Sequence, residues 1–205
     1  MGGEPFCQCT HTALSPKGEI YVSDGYGNAR VHKYTPDGRH MMSWGTSGIG
    51  PGEFNLPHNI SCDEDGWVYV ADRENHRIQI FDGNGKYETE WRNVHRPSGF
   101  FRPKGACPYC YVGECGPTYG FSRNASSLGP RVSVLDKKTG AVVARLGDRT
   151  PENFPGPFTS PHGIATDSRG DIYVGEVAKT GWGNLFPGVA PNPPRAVLQK
   201  LVKIT

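Results

Sequence analysis

Gly66-Trp-Val-Tyr-Val-Ala-Asp72 is the stretch on which the fold turns. A glycine after the Asp63–Asp65 turn opens a run of apolar and β-branched residues, and an acidic residue closes it. The same run stands 48 residues earlier as Gly18-Glu-Ile-Tyr-Val-Ser-Asp24 and 104 residues later as Gly170-Asp-Ile-Tyr-Val-Gly-Glu176. Tyr111-Val-Gly-Glu114 is an intermediate copy, with a disturbed approach through Lys104-Gly-Ala-Cys-Pro108. Four units of roughly 40–50 residues therefore repeat. They cover residues 6–45, 54–91, 92–147 and 158–205 and are expected to make a single domain.

Working outward from the second copy, Leu56-Pro57-His58-Asn59-Ile60 leads into the turn before Gly66. After Asp72–Asn75, the run Arg77-Ile-Gln-Ile-Phe81 alternates with the period of two of a strand. Asp82-Gly83-Asn84-Gly85 is a strong turn signal, and Lys86–Trp91 closes the unit. The first unit matches with Arg30-Val-His-Lys-Tyr34, Pro36-Asp37-Gly38 and Met41–Trp44. Four short antiparallel strands at this period predict an all-β protein built from β-propeller blades. The alternating Leu198–Ile204 is expected as the outer strand of the last unit and a natural end to it. The preceding Gly181–Pro194 is expected as a long loop over one face.

Composition agrees. The 205 residues include 28 Gly and 18 Pro, which favours turns over long helices, and nine Phe, nine Tyr and four Trp, too many aromatics for wholesale disorder. With 22 Lys+Arg against 20 Asp+Glu the net charge is +2, which argues against nucleic acid or a membrane surface as partner. No apolar run approaches the roughly 18 residues of a membrane span. Met1–Pro5 lacks the basic start and apolar core of a signal peptide, so the chain is expected to be soluble, with no compartment readable. The Gly45–Gly52 loop has no Walker lysine or following helix, so no phosphate site is expected. Asn124-Ala-Ser126 fits a glycosylation sequon, relevant only to a secreted chain.

Two of the seven histidines hold the same place in their units, His58 in Leu-Pro-His-Asn-Ile and His162 in Ser-Pro-His-Gly-Ile, two units apart. The strand at this point is the innermost of a blade. Both imidazoles can therefore face the central channel and hold zinc with a position left open, or simply pack and bond a carbonyl. His11 lies one position beyond the equivalent of His58 and is expected to point away. Cys107-x2-Cys110-x4-Cys115 has the form of half a zinc knuckle, with His95 as a conceivable fourth ligand. A disulfide or inert thiols fit the same spacing. Cys7 and Cys9 are too close for an easy mutual bridge, and Cys62 reads as a buried strand residue.

Asp72-Arg-Glu-Asn75-His-Arg77-Ile with Phe81, echoed by Asp24, Asn28-Ala-Arg30-Val31 and Tyr34, resembles the NHL repeat. NHL propellers usually have six blades, so the resemblance implies that about four of six are present. Either the chain is part of a longer propeller, or it closes with fewer blades, or two copies complete each other. An open arc exposes sheet edges and invites self-association. Phe6-Cys7-Gln8, Tyr21–Arg30, Pro51-Gly-Glu-Phe54, Leu56-Pro-His58 and Val70-Ala-Asp-Arg-Glu-Asn75 together look like the peptidyl-α-hydroxyglycine α-amidating lyases and their bacterial relatives. That resemblance implies a channel zinc on three histidines, of which His58 and His162 match two, and a structural calcium. It implies Tyr26 as catalytic base and Arg73 as a substrate-binding residue. The third histidine and a further arginine find no match here.

Without the resemblance, Tyr26 reads equally well as a turn aromatic over the channel mouth, and Arg73 as an ion-pair partner of Asp72 or Glu74. Two departures stand out. Gly163 follows His162 where animal lyases carry Asp, and Gly27 replaces a Cys that would bridge to the position of Cys7. The expected activity is cleavage of a peptide-like carbinolamide, or a related small hydroxylated acid, to amide and glyoxylate. The alternative is a non-catalytic NHL scaffold for a protein or other ligand. A lactonase-type propeller would need channel carboxylates, and the inner positions offer histidines instead.

Overall fold

The computed structural model describes residues 4–122, 125–147, 156–191 and 196–204. It is a four-bladed β-propeller of antiparallel sheets in up-and-down order. The first blade contains β1 (Cys9–Leu14), β2 (Ile20–Asp24), β3 (Arg30–Tyr34) and β4 (His40–Trp44). A short parallel pair, β5 (Thr46–Ser47) and β6 (Glu53–Phe54), links it to the second blade. That blade has β7 (Pro57–Cys62), β8 (Val68–Asp72), β9 (Arg77–Phe81) and β10 (Tyr87–Trp91). The third has β11 (Pro97–Phe101), β12 (Tyr109–Glu114), β13 (Arg131–Asp136) and β14 (Val142–Leu146). The fourth shows three strands among the described residues: β15 (Pro161–Thr166), β16 (Ile172–Glu176) and β17 (Leu198–Leu201). The inner strands β1, β7, β11 and β15 lie side by side in that order.

The repeated run explains how blades stack. Alternate side chains of a strand point to opposite faces. In β8, Val68 and Val70 join Tyr21, Val31, Ile60 and Phe81 between the first two blades. Tyr69 and Ala71 turn the other way and pack with Phe100, Val112 and Leu135 of the third. Tyr111, Val132 and Val134 repeat this against Ile172 and Val174 of the fourth. A strand buried on both faces carries apolar residues at nearly every position, which is why the run is continuous rather than alternating.

Leu198–Leu201 supply β17, which pairs with β16 and is the outermost of the three described strands of this blade. One expectation about the last unit needs correction. Gly181–Pro194 is not simply a loop: Ala178–Leu185 forms a helix, α1, with Ala178, Gly181 and Leu185 buried. Gly181 and Gly183 lower helix propensity and conceal it in the sequence. The fold needs a glycine at 181, because a Cβ there would meet the Ser160 Cβ at 2.6 Å. Pro194 lies outside the described residues, as does Asn124 of the sequon.

Candidate active site

Every inner strand begins with a break in register, between Cys9 and His11, Pro57 and Asn59, Pro97 and Gly99, and Pro161 and Gly163. The residues skipped are Thr10, His58, Ser98 and His162. A bulge re-aims the side chain it carries, and here hydroxyl and imidazole alternate from blade to blade. A carboxylate at the end of each second strand fixes the approach by accepting a backbone N–H. Asp24 takes Cys7 at 3.0 Å, Asp72 takes Asn55 at 2.7 Å, Glu114 takes His95 at 2.8 Å and Glu176 takes Ser160 at 2.8 Å. The inner strands also come very close. A Cβ on Gly99 would stand 2.5 Å from the carbonyl oxygen of His162, so only glycine lets β11 support that histidine.

His58 and His162 meet edge to face, with ring centroids 4.5 Å apart. His58 is buried, and burial, then His162, then Arg73 push its pKa down to about 3. His162 is also held below the usual imidazole range, by burial first and then by Arg73. Both rings are therefore neutral at physiological pH. The carbonyl of Ser98 can only accept, so the proton of His58 sits on Nδ1, 2.8 Å away. Its Nε2 keeps the lone pair, and the Tyr26 hydroxyl donates to it at 3.1 Å. Arg73 donates from Nη1 to the same Tyr26 oxygen at 3.3 Å, its guanidinium 5.5 Å from the Tyr26 ring centroid.

The four side chains singled out in the sequence thus form one cluster. Tyr26 comes from the β2–β3 connection and Arg73 from β8–β9. Cys115, Pro117 and Thr118 come from β12–β13, while Val177 and Thr180, Gly181 and Asn184 of α1 come from β16–β17. Together with His162 they line a cavity of about 320 Å³. Connections between second and third strands therefore build this face in all four blades.

Sequence reasoning named Glu74 as an ion-pair partner of Arg73, which it is, but missed Arg96 and Ser98. Glu74 accepts from Arg73 Nε at 2.8 Å and from Arg96 Nη2 at 2.8 Å. Burial alone would raise its carboxyl, but the hydrogen bonds and charge of Arg96, then Arg73, hold it at about 2. Glu74 thus fixes Arg73 by its Nε and leaves Nη1 directed at Tyr26. The signal for Ser98 was present: Pro97-Ser98 occupies the place of Pro57-His58. Nothing in the sequence signals the Glu74–Arg96 link, which joins two blades.

The remaining candidates separate. His11 spends Nδ1 on the Ile60 carbonyl at 3.2 Å. Cys110 is buried in the core against the Leu135 carbonyl, while Cys107 precedes β12 and Cys115 follows it, so the three thiols share no site. His95 stacks instead on His76, with centroids 4.5 Å apart. The six cysteines are free, and the Cys7 Sγ lies 2.1 Å from where a Cβ on Gly27 would be, filling the space that residue leaves. Cys62, half-buried at the end of β7, has its thiol pushed up to about 12 by burial.

For zinc, the two neutral imidazoles fit as donors, and the Ser98 carbonyl provides the ring-orienting bond typical of a ligating histidine. They are a partial set, since no group of three or more His, Cys, Asp or Glu among the described residues is disposed to hold a metal.

His76 and His95 give a pH prediction. Burial lowers both, and burial, then His76, then Arg96 take His95 to about 4. The unfolded chain binds these protons below the ordinary value of 6.5. Stability is therefore complete above that pH and falls as pH drops from 6.5 toward 4. Urea unfolding at pH 7.5 and 4.5 is expected to show a loss that His95→Asn reduces by about 1–2 kcal/mol. An unchanged loss would contradict a neutral, partly buried His95 stacked on His76.

The NHL repeat family matches residues 6–34 and 54–81. These are the first three strands of two blades, and with the sheets already described they decide the assignment. The propeller carries NHL repeats and resembles the amidating lyases. Peptidyl-glycine alpha-amidating monooxygenase B of Xenopus laevis is 32% identical over 188 residues, 83% of this chain and 19% of that protein. Peptidyl-alpha-hydroxyglycine alpha-amidating lyase 1 of Drosophila melanogaster is 30% identical over 191 residues, 85% of this chain and 34% of that protein. NHL repeat-containing protein 3 of Homo sapiens is 33% identical over 162 residues, 67% of this chain and 46% of that protein. The chain thus spans less than half the length of each of these relatives. Among solved structures, a streptogramin B lyase superposes with a TM-score of 0.58 at 18% identity, covering 83% of this chain and 48% of its own, a likeness of fold alone. No helix among the described residues is long and apolar enough to cross a membrane.

Proposed function

We propose that the NHL propeller is an amidating-lyase-like enzyme that splits a peptidyl-α-hydroxyglycine into an amide and glyoxylate. The observation carrying this reading is the hydrogen-bonded row His58 Nε2, Tyr26 hydroxyl, Arg73 Nη1, with His162 against His58. A scaffold has no use for a buried and a half-buried neutral imidazole packed edge to face beside a phenol and a guanidinium.

The substrate, R–CO–NH–CH(OH)–COO⁻, carries one negative charge. Arg73 pairs with its carboxylate, a planar fork matching a planar anion, while Glu74 keeps the fork in place. Tyr26 takes the proton of the carbinol hydroxyl. The O–H electrons become the aldehyde C=O, the C–N bond breaks, and the amide nitrogen takes the Tyr26 phenolic proton, which the carbinol proton replaces, to leave as R–CO–NH2. His58 and His162 would hold zinc, whose chemistry when bound is to acidify the hydroxyl. Burial keeps both imidazoles unprotonated, as ligands must be.

The experiment is glyoxylate release from N-benzoyl-α-hydroxyglycine with zinc supplied. Release above the spontaneous rate, abolished by His162→Ala, is expected. A rate equal to the spontaneous one in the zinc-supplemented protein would count against the lyase and favour the scaffold reading, which the similarity to NHL repeat-containing protein 3 keeps open.

A further inference from the structure

The β12–β13 connection is the exception among the loops of the site face. Asp72 and Arg77 are five positions apart, whereas their counterparts Glu114 and Arg131 are 17 apart. The additional chain makes two short 3-10 turns and raises Tyr119 and Phe121, which are 66% and 91% exposed. Their rings are parallel within 6°, centroids 5.6 Å apart. The pair borders a groove of about 500 Å³ whose other wall is the stacked His76 and His95. Arg96, Pro117 and Thr118 line both this groove and the cavity holding Arg73 and His162, so the two adjoin at these residues.

The groove has little use for a charged guest. Arg96 gives Nε and Nη2 to Glu74 and Nη1 to the Gly116 carbonyl, so the cation and anion at its floor neutralise each other. One polar atom remains unmet: His95 Nε2 is buried with no partner. An aromatic wall, a neutral floor and one unmet nitrogen suit a flat apolar side chain attached to a peptide group.

We infer that the Tyr119–Phe121 groove is a specificity subsite for an aromatic side chain on the residue preceding the hydroxyglycine. The inference rests on the lyase reading for what fills the adjoining cavity. With the carboxylate on Arg73, the peptide leaves past Thr118 and Arg96. Its aromatic ring lies against Tyr119 and Phe121, and its amide comes within reach of His95.

The first test is direct binding, which needs no turnover. Calorimetric titration compares N-acetyl-Phe-Gly with N-acetyl-Ala-Gly, both carrying the carboxylate and neither the hydroxyl. Binding of the Phe peptide about tenfold tighter or more is expected, a typical hydrophobic-pocket discrimination. Tyr119→Ala and Phe121→Ala are each expected to shrink that ratio while leaving the affinity for the Ala peptide unchanged. Both side chains are exposed, and unchanged melting temperatures verify folding. The second test is kcat/KM for the corresponding hydroxyglycines, expected to show the same ratio and the same losses. If no glyoxylate forms but the binding ratio behaves as stated, the lyase reading fails and the subsite stands. Equal affinities for the two peptides, or a ratio that survives both substitutions, would overturn the subsite.

Discussion

Replacing Arg77 with methionine is expected to lower the unfolding free energy by about 3–5 kcal/mol, as removal of one partner of a buried ion pair does. Arg77 is 2% exposed, and its Nε donates to Asp72, itself fully buried, at 2.8 Å. The rest of the guanidinium reaches Glu90 and the carbonyls of Ile49, Gly50 and Glu53, each at 2.9 Å. One cation thus satisfies the β5–β6 link and the end of β8 together. Methionine keeps much of the volume but leaves the Asp72 carboxylate and three carbonyls with fewer partners, and Arg77→Lys cannot restore the fork. Denaturant titration measures the loss. A loss below about 1 kcal/mol would mean that the buried Arg77–Asp72 pair does not hold the end of β8 as described.

The second large effect concerns the reaction. Tyr26→Phe is expected to lower kcat by about 10²–10⁴-fold, the range for removing a positioned proton-transfer group. Stability is expected to change by less than about 0.5 kcal/mol, because the side chain is 51% exposed. That separation of activity from stability identifies a base rather than a covering aromatic. A loss confined to KM would assign Tyr26 to substrate binding instead.

The blades were legible because their signal is local and repeated. A strand buried on both faces must be apolar throughout, so Trp67–Ala71 and its copies announce themselves. The convergence of His58 and His162 was legible from their equivalent places, and family resemblance supplied Tyr26 and Arg73. What stayed hidden depends on contacts across blades. Ser98 orients His58 through a backbone carbonyl, which no side-chain pattern reports. Arg96 reaches Glu74 from 22 residues away. The cysteine spacing misled because a strand lies between the thiols. At about 3.3 Å per residue, five residues carry Cys115 roughly 17 Å from Cys110. Helix α1 was obscured by its glycines, one of which is there to fit against Ser160.

We propose that His58 and His162 form one ligand pair within this chain. Zinc titration of the purified protein, beside His58→Ala and His162→Ala, tests it most directly. One bound zinc per chain at saturation, lost in both variants, is the predicted result. No bound zinc, or zinc that persists in both variants and so belongs to other residues, would contradict it.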